Sequence, residues 1–188
     1  MVFRVALVGH SQLPNDLEVD GAEIEIFRSP GGRAYSFYED ENLCDVLNWS
    51  GDLVILWLGS NDIKQNTQVS DVVDNISEIT ETIEKDCEAT VVIVLVEPRC
   101  YPDGCPVSES QYRKIQRAIN RKLERELPDN DFLHFNSSMY QQELAGDGVH
   151  FTAEGKELIV EQIIECIQEH MPEGNDDESE DSDEELDY

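Results

Sequence analysis

The sequence predicts an α/β fold: a three-layer α/β/α sandwich with a five-stranded parallel sheet in a flavodoxin-like arrangement. Two observations support this prediction. The segments Leu53–Leu58 and Thr90–Glu97 are nearly continuous runs of Val, Ile and Leu, which is typical of strands buried on both faces of a parallel sheet. Segments with strand and helix patterns also alternate along the chain, which favours strands joined by helical crossovers.

The strands are predicted from short apolar segments bounded by turn residues. The first, at the N-terminus, is too short for a membrane span, contains Arg4 and is followed by no small-residue cleavage site. It is therefore predicted to be a strand rather than a signal peptide, and the protein to be cytoplasmic. The five predicted strands are Val2–Val8, Ala22–Arg28, Leu53–Leu58, Thr90–Glu97 and Asp131–Phe135.

The helices are predicted from apolar residues at helical spacing between these strands. Ser70 or Asp71 is the expected N-cap of the second helix and Thr152 that of the last, while Pro128 and Pro172 stop the third and last helices. The four predicted helices are Phe37–Trp49, Ser70–Asp86, Ser108–Glu126 and Thr152–His170.

Charge and length divide the chain into a folded domain, residues 1–172, and an acidic tail, residues 173–188. The tail has ten acidic residues and is predicted to be disordered because it cannot bury apolar surface. The formal net charge of −29 leaves −19 for residues 1–172, which opposes direct binding of nucleic acid by the folded domain. The tail is interpreted either as a solubilising segment or as a binding element for a basic protein partner.

The cysteines fit a reducing compartment. Cys44, Cys87 and Cys166 lie in apolar or helical contexts and are predicted to be reduced. Cys100 and Cys105 form the one close pair. They are interpreted as free thiols or as a loop disulfide, and the rarity of cytosolic disulfides favours the thiols.

Polar residues follow the predicted strands at the ends where parallel sheets bind ligands. Ser11 follows the first strand in Gly9-His10-Ser11, and two glycines follow the second in Pro30-Gly31-Gly32. Asn61 follows the third strand in Gly59-Ser60-Asn61-Asp62. A serine needs a base to become a nucleophile, and an asparagine amide can donate to an oxyanion. Each stretch taken alone also fits an ordinary turn.

A fourth stretch, "GDGVHFT", places Asp147 and His150 on one turn before the last helix. A histidine base works best when an acid orients its ring and fixes its tautomer. The alternative is that Asp147 caps the turn and His150 only packs before the helix.

The order and spacing of the four stretches resemble the SGNH hydrolase family, also called GDSL-type esterases and lipases, over residues 1–172. The resemblance implies a Ser11, Asp147 and His150 triad. It also implies an oxyanion hole formed by the Ser11 N–H, the Gly32 N–H and the Asn61 side chain, with Gly31 as the alternative to Gly32. His10 stands where the family pattern has aspartate.

The resemblance implies a serine esterase acting on small short-acyl or acetyl esters through an acyl-enzyme, with no metal or organic cofactor. The alternative is a catalytically inactive member of the fold, to which His10 points, that serves as a binding or interaction protein with an acidic tail.

Overall fold

The computed structural model describes residues 2–39, 41–99, 107–135 and 144–172. Its centre is a parallel sheet of five strands in the order β2-β1-β3-β4-β5. The strands are β1 (Phe3–Gly9), β2 (Ala22–Arg28), β3 (Leu53–Trp57), β4 (Thr90–Val94) and β5 (Asp131–Leu133). The predicted fold class and sheet are thus confirmed.

Helices connect and cover the strands, and the segment predicted as one helix over Phe37–Trp49 contains two helices, α1 and α2. The helices are α1 (Ala34–Glu39), α2 (Glu41–Trp49), α3 (Val69–Cys87), α4 (Glu109–Glu126) and α5 (Ala153–His170). A single 3₁₀ turn, Ser60–Asp62, follows β3.

The N-caps of α3 and α5 can be compared with the capping residues that the sequence predicts. The Thr152 side chain accepts a hydrogen bond from the Gly155 N–H and caps α5 as predicted. The N-cap of α3 is Gln68, which makes no side-chain cap hydrogen bond. The expected cap at Ser70 or Asp71 is therefore wrong, because the helix already begins at Val69.

Alternate residues of the central strands face two hydrophobic cores. Ala6 and Val8 of β1 pack with the buried faces of α1, α2, α3 and α4. Val5 and Leu7 face the opposite side, where they pack with Ile159, Ile163 and Ile167 of α5. The sheet is thus the middle of three layers, as β1 and β3, buried on both faces, require.

Candidate active site

The sheet order places the candidate residues at a crevice between two neighbouring strands. In an order of this kind, connections leave β1 and β3 toward opposite sides, and ligands bind beyond the carboxyl ends of the strands at that point. Ser11 follows β1, and Asn61 follows β3. The sheet topology therefore places both residues at the carboxyl edge of the sheet, beyond the neighbouring strands β1 and β3.

Ser11 lies in a turn directly after β1, and its side chain is exposed. Gly9 lets this turn start close to β3, since an added Cβ would lie 2.5 Å from the Trp57 carbonyl oxygen. The Gln12 side chain donates to the Val149 carbonyl at 2.6 Å. This hydrogen bond joins the turn that carries Ser11 to the turn that carries His150.

Asp147 and His150 form a hydrogen-bonded acid and base pair on the turn before α5. The His150 Nδ1 is 2.6 Å from Asp147 Oδ2, while Asp147 Oδ1 accepts the Val149 and His150 backbone N–H groups, each at 2.9 Å. The bond to the His150 ring, followed by these backbone bonds, lowers the pKa of Asp147 to about 2. Asp147 is therefore a carboxylate at neutral pH, and it leaves the His150 Nε2 as the outer nitrogen of the ring.

Both side chains of this pair are about half exposed, 50% for Asp147 and 48% for His150. A base at the protein surface is accessible to solvent in this conformation. The arrangement is thus suited to proton transfer with a group that approaches from solvent.

Asn61 has its side-chain amide held at both ends. Its Oδ1 accepts from Arg99 Nη1 and Nη2, each at 3.2 Å, and its Nδ2 donates to the Gly32 carbonyl at 3.0 Å. One N–H of the Nδ2 group is used by Gly32, and the second has no partner among the residues that the structure describes.

Gly32 ends a tight turn that follows β2. Its N–H donates to the Ser29 carbonyl at 2.8 Å, and Gly31 has a φ of 73° within the same turn. An oxyanion would have to share this N–H with Ser29. The assignment of Gly32 to an oxyanion hole stays a prediction, as does the alternative, Gly31.

His10 is buried behind Ser11, with 1% of its surface exposed. Its Nε2 is 3.0 Å from Ser60 Oγ and 3.8 Å from Glu97 Oε1, and its Nδ1 accepts from the Gln12 N–H at 3.4 Å. Burial lowers the pKa of His10 to about 4, although the Glu97 carboxylate opposes this shift. At neutral pH His10 is therefore an uncharged ring whose nitrogens face the protein interior.

Two charged residues beneath the site, Glu97 and Arg99, are not among the predicted site residues. Glu97 is predicted only as the end of a strand, yet the side chains of Glu97 and Arg99 are 0% and 5% exposed. The signal was present: two charged residues directly follow an apolar strand at the sheet edge where ligands bind.

Three of the five cysteines fall within the described residues, and all three are free thiols: Cys44, Cys87 and Cys166. Burial raises the pKa of the Cys166 thiol to about 11, so that it is protonated at neutral pH. Cys100 and Cys105 lie outside the described residues.

The sequence model of the GDSL-like lipase/acylhydrolase family matches residues 9–158. This match spans most of the chain and includes Ser11, Asn61, Asp147 and His150. The chain therefore belongs to the GDSL-like lipase/acylhydrolase family, as the sequence resemblance predicted. No curated protein sequence matches it.

Solved structures of similar fold agree with this assignment. A GDSL-like lipase from Bacteroides thetaiotaomicron is 22% identical, with a TM-score of 0.68 over 89% of this chain and 89% of the other. A lipase/acylhydrolase from Enterococcus faecalis is 16% identical, with a TM-score of 0.69 over 90% and 97%. An acetyl xylan esterase, AlAXEase, is 16% identical, with a TM-score of 0.70 over 88% and 100%. At these identities the likeness concerns the fold.

Within residues 2–39, 41–99, 107–135 and 144–172, none of the helices combines the length and the apolar character that crossing a membrane requires.

Proposed function

We propose that this protein is a serine esterase that hydrolyses small esters with short acyl or acetyl groups. The observation that carries the proposal is the 2.6 Å contact between Asp147 and His150, on a turn joined to that of Ser11 by the Gln12–Val149 hydrogen bond. A hydroxyl nucleophile needs a general base, and a histidine base works best with an acid that orients its ring, so this pair and the joined turns support the proposal.

In the proposed reaction, His150 Nε2 takes the Ser11 hydroxyl proton as Ser11 Oγ attacks the ester carbonyl. The Asp147 carboxylate stabilises the imidazolium that forms, because it stays ionised and accepts the hydrogen bond from the Nδ1–H. His150 then returns the proton to the leaving alcohol as the ester C–O bond breaks. Water, deprotonated by the same ring, cleaves the acyl-enzyme and regenerates the Ser11 hydroxyl.

The tetrahedral intermediate places a negative charge on the former carbonyl oxygen. The proposed donors to this oxygen are the Ser11 N–H, the Asn61 Nδ2 and the Gly32 N–H, the last shared with Ser29. A single donor of this kind typically accounts for about 10²–10³ in kcat.

The position of His10 supports an active enzyme over the inactive alternative. Its ring is buried and uncharged at neutral pH, and its nitrogens contact Ser60 and Gln12 rather than solvent. It therefore neither adds a charge beside Ser11 nor competes with His150 for the Ser11 proton.

Hydrolysis of p-nitrophenyl acetate by wild type, Ser11→Ala and Asn61→Ala tests the proposal. We expect Ser11→Ala to abolish turnover above background and Asn61→Ala to lower kcat by about 10²-fold. Ser70→Ala, which removes an exposed hydroxyl at the start of α3, is the matched control and should retain full activity. Undiminished hydrolysis by Ser11→Ala would show that Ser11 is not the nucleophile.

A further inference from the structure

A buried ion pair lies directly beneath Asn61, and the reaction proposed above does not use it. Arg99 Nη2 and Nε donate to Glu97 Oε1 at 3.0 and 3.3 Å. Because desolvation of two charges offsets most of their attraction, a buried pair of this kind is weak evidence of a stabilising role. The other contacts of Arg99 and Glu97 indicate the role of the pair.

The guanidinium of Arg99 donates two hydrogen bonds to the oxygen of the Asn61 amide. Both Nη1 and Nη2 donate to Asn61 Oδ1, each at 3.2 Å. Arginine has only donors and no acceptor, so a flipped Asn61 amide would place its NH₂ group against other N–H groups. Arg99 therefore selects the orientation in which the Asn61 Nδ2 points away from it, toward Gly32 and the crevice.

The Arg99 guanidinium makes a further hydrogen bond besides those to Glu97 and Asn61. Its Nη2 also donates to Ser60 Oγ at 2.5 Å, and Ser60 Oγ lies 3.0 Å from His10 Nε2. Glu97 is fixed in turn, since its second oxygen accepts the Trp57 indole N–H at 3.1 Å. These contacts leave the Arg99 guanidinium little freedom to rotate away from Asn61.

We propose that Arg99 is a positioning residue, which orients the Asn61 amide so that its N–H meets the oxyanion, and that Glu97 holds Arg99 in place. This inference rests on the proposed esterase function. Arg99 touches no reacting atom, and its effect on the reaction passes through Asn61.

Arg99→Lys is the informative variant. Lysine keeps a positive charge beside Glu97 but has one nitrogen, so it cannot bind Glu97, Ser60 and Asn61 as the fork does. We expect kcat for p-nitrophenyl acetate to fall about 10- to 100-fold while KM changes by less than about 2-fold, since the lost stabilisation belongs to the transition state. Arg125→Lys, at an arginine whose side chain is 72% exposed, should change neither constant.

A double-mutant cycle separates positioning from a general structural role. If Arg99 acts through Asn61, Arg99→Lys should cost less than about 2-fold in kcat in an Asn61→Ala background. If the two losses instead multiply, Arg99 does not act through Asn61 and the inference is overturned. Glu97→Gln keeps an acceptor for the fork and provides a second, milder variant for the same cycle should Arg99→Lys fold poorly.

A readout independent of catalysis keeps this inference separate from the esterase proposal. The side-chain NH₂ signals of Asn61, assigned in ¹H–¹⁵N spectra by their loss in Asn61→Ala, should exchange slowly with solvent in wild type and faster in Arg99→Lys. Unchanged exchange in Arg99→Lys would overturn the positioning role. Wild type that neither hydrolyses esters nor reacts at Ser11 would refute the esterase proposal alone, and the exchange measurement would still decide the role of Arg99.

Discussion

His10 shows how burial changes what a titratable residue can do. The family resemblance implies an aspartate at this position, whereas the structure has an imidazole ring tilted by 59° to the Trp57 ring, with the ring centroids 5.1 Å apart, and a pKa of about 4. The carboxylate of Glu97, whose side chain is fully buried, lies 3.8 Å from the His10 Nε2. The Arg99 guanidinium lowers the pKa of Glu97, although burial acts in the opposite direction. The negative charge behind this turn therefore lies on Glu97, while burial leaves His10 uncharged.

Asp62, beside Asn61, has a raised pKa, whereas the pKa values of His10 and Glu97 are lowered. Its carboxylate accepts the Ala34 N–H at 3.0 Å, yet burial raises its pKa from 3.8 to about 6. A carboxyl whose pKa is raised on folding binds protons more tightly in the native state. Its charge therefore costs stability in full above pH 6, and the cost disappears as the pH falls below 3.8.

We predict that Asp62→Asn raises the free energy of unfolding by about 1–3 kcal/mol at pH 7.5, with roughly half of that gain remaining at pH 5. Asparagine keeps an oxygen for the Ala34 N–H without a charge to bury. Urea titrations of both proteins at the two pH values measure the difference. Asp71→Asn, at an exposed carboxyl, is the control and should change stability little. A loss of stability in Asp62→Asn at pH 7.5 would contradict this interpretation of the raised pKa.

At the scale of elements, the short turn after β3 depends on a residue that can adopt an unusual backbone conformation. Gly59 has a φ of 99°, and a Cβ there would lie 3.0 Å from Val96 Cγ2 and 3.3 Å from Ile76 Cδ1. The turn that begins after Gly59 carries Ser60, Asn61 and Asp62. The conformation of one glycine therefore sets the direction of the candidate oxyanion donor.

We expect Gly59→Ala to lower the free energy of unfolding by about 1–3 kcal/mol, because alanine is strained at this φ and has no room for its methyl group. It should also lower kcat, since a shift of the turn moves Asn61. Gly146→Ala is the control: a Cβ at Gly146 would meet no atom of the described residues within 4 Å, and its φ is not positive. Equal stability of the two variants, measured by thermal melting, would show that the turn tolerates a side chain.

Much of the element order was predictable because it depends on local pattern. The apolar runs that became β3 and β4 and the helical spacing that became α3, α4 and α5 are visible in the sequence itself. The two-helix segment before β3 and the start of α3 at Val69 were not predicted. The start of α3 has no local capping signal, since Gln68 caps the helix without a side-chain hydrogen bond.

The candidate site was predictable only in part. Ser11, Asn61, Asp147 and His150 each lie at a turn signal in the sequence, and in the structure the Asp147 and His150 side chains are 2.6 Å apart. The contacts of Arg99 with Glu97, Ser60 and Asn61 span up to 39 positions in the chain. No local pattern encodes such pairings, because they arise only when the ends of β1, β3 and β4 come together.

At the scale of the whole molecule, the dominant electrostatic feature is an excess of negative charge. The chain has 42 acidic and 13 basic residues, and residues 1–172 alone carry a formal charge of −19. Like charges repel within a compact structure, and salt weakens this repulsion over distances beyond about 8–10 Å at moderate ionic strength.

We therefore predict that raising NaCl from 20 to 300 mM increases Tm by about 2–4 °C, corresponding to roughly 1 kcal/mol for a protein of this size. Calorimetry or circular dichroism would measure the shift. A variant that ends at Pro172 lacks ten acidic residues, and its increase should be smaller. A Tm that stays constant or falls with salt would mean that charge repulsion is not a net destabilising force here.

The proposed mechanism depends most on Ser11 as the nucleophile, and labelling with a fluorophosphonate tests this role of Ser11 directly. Such a reagent forms a covalent bond with an activated serine, and mass spectrometry of the digested protein locates it. We predict a single adduct on the peptide containing Ser11, which is absent in Ser11→Ala and greatly slowed in His150→Ala. A folded wild-type protein that forms no adduct, or forms one at another serine, would contradict the proposed mechanism.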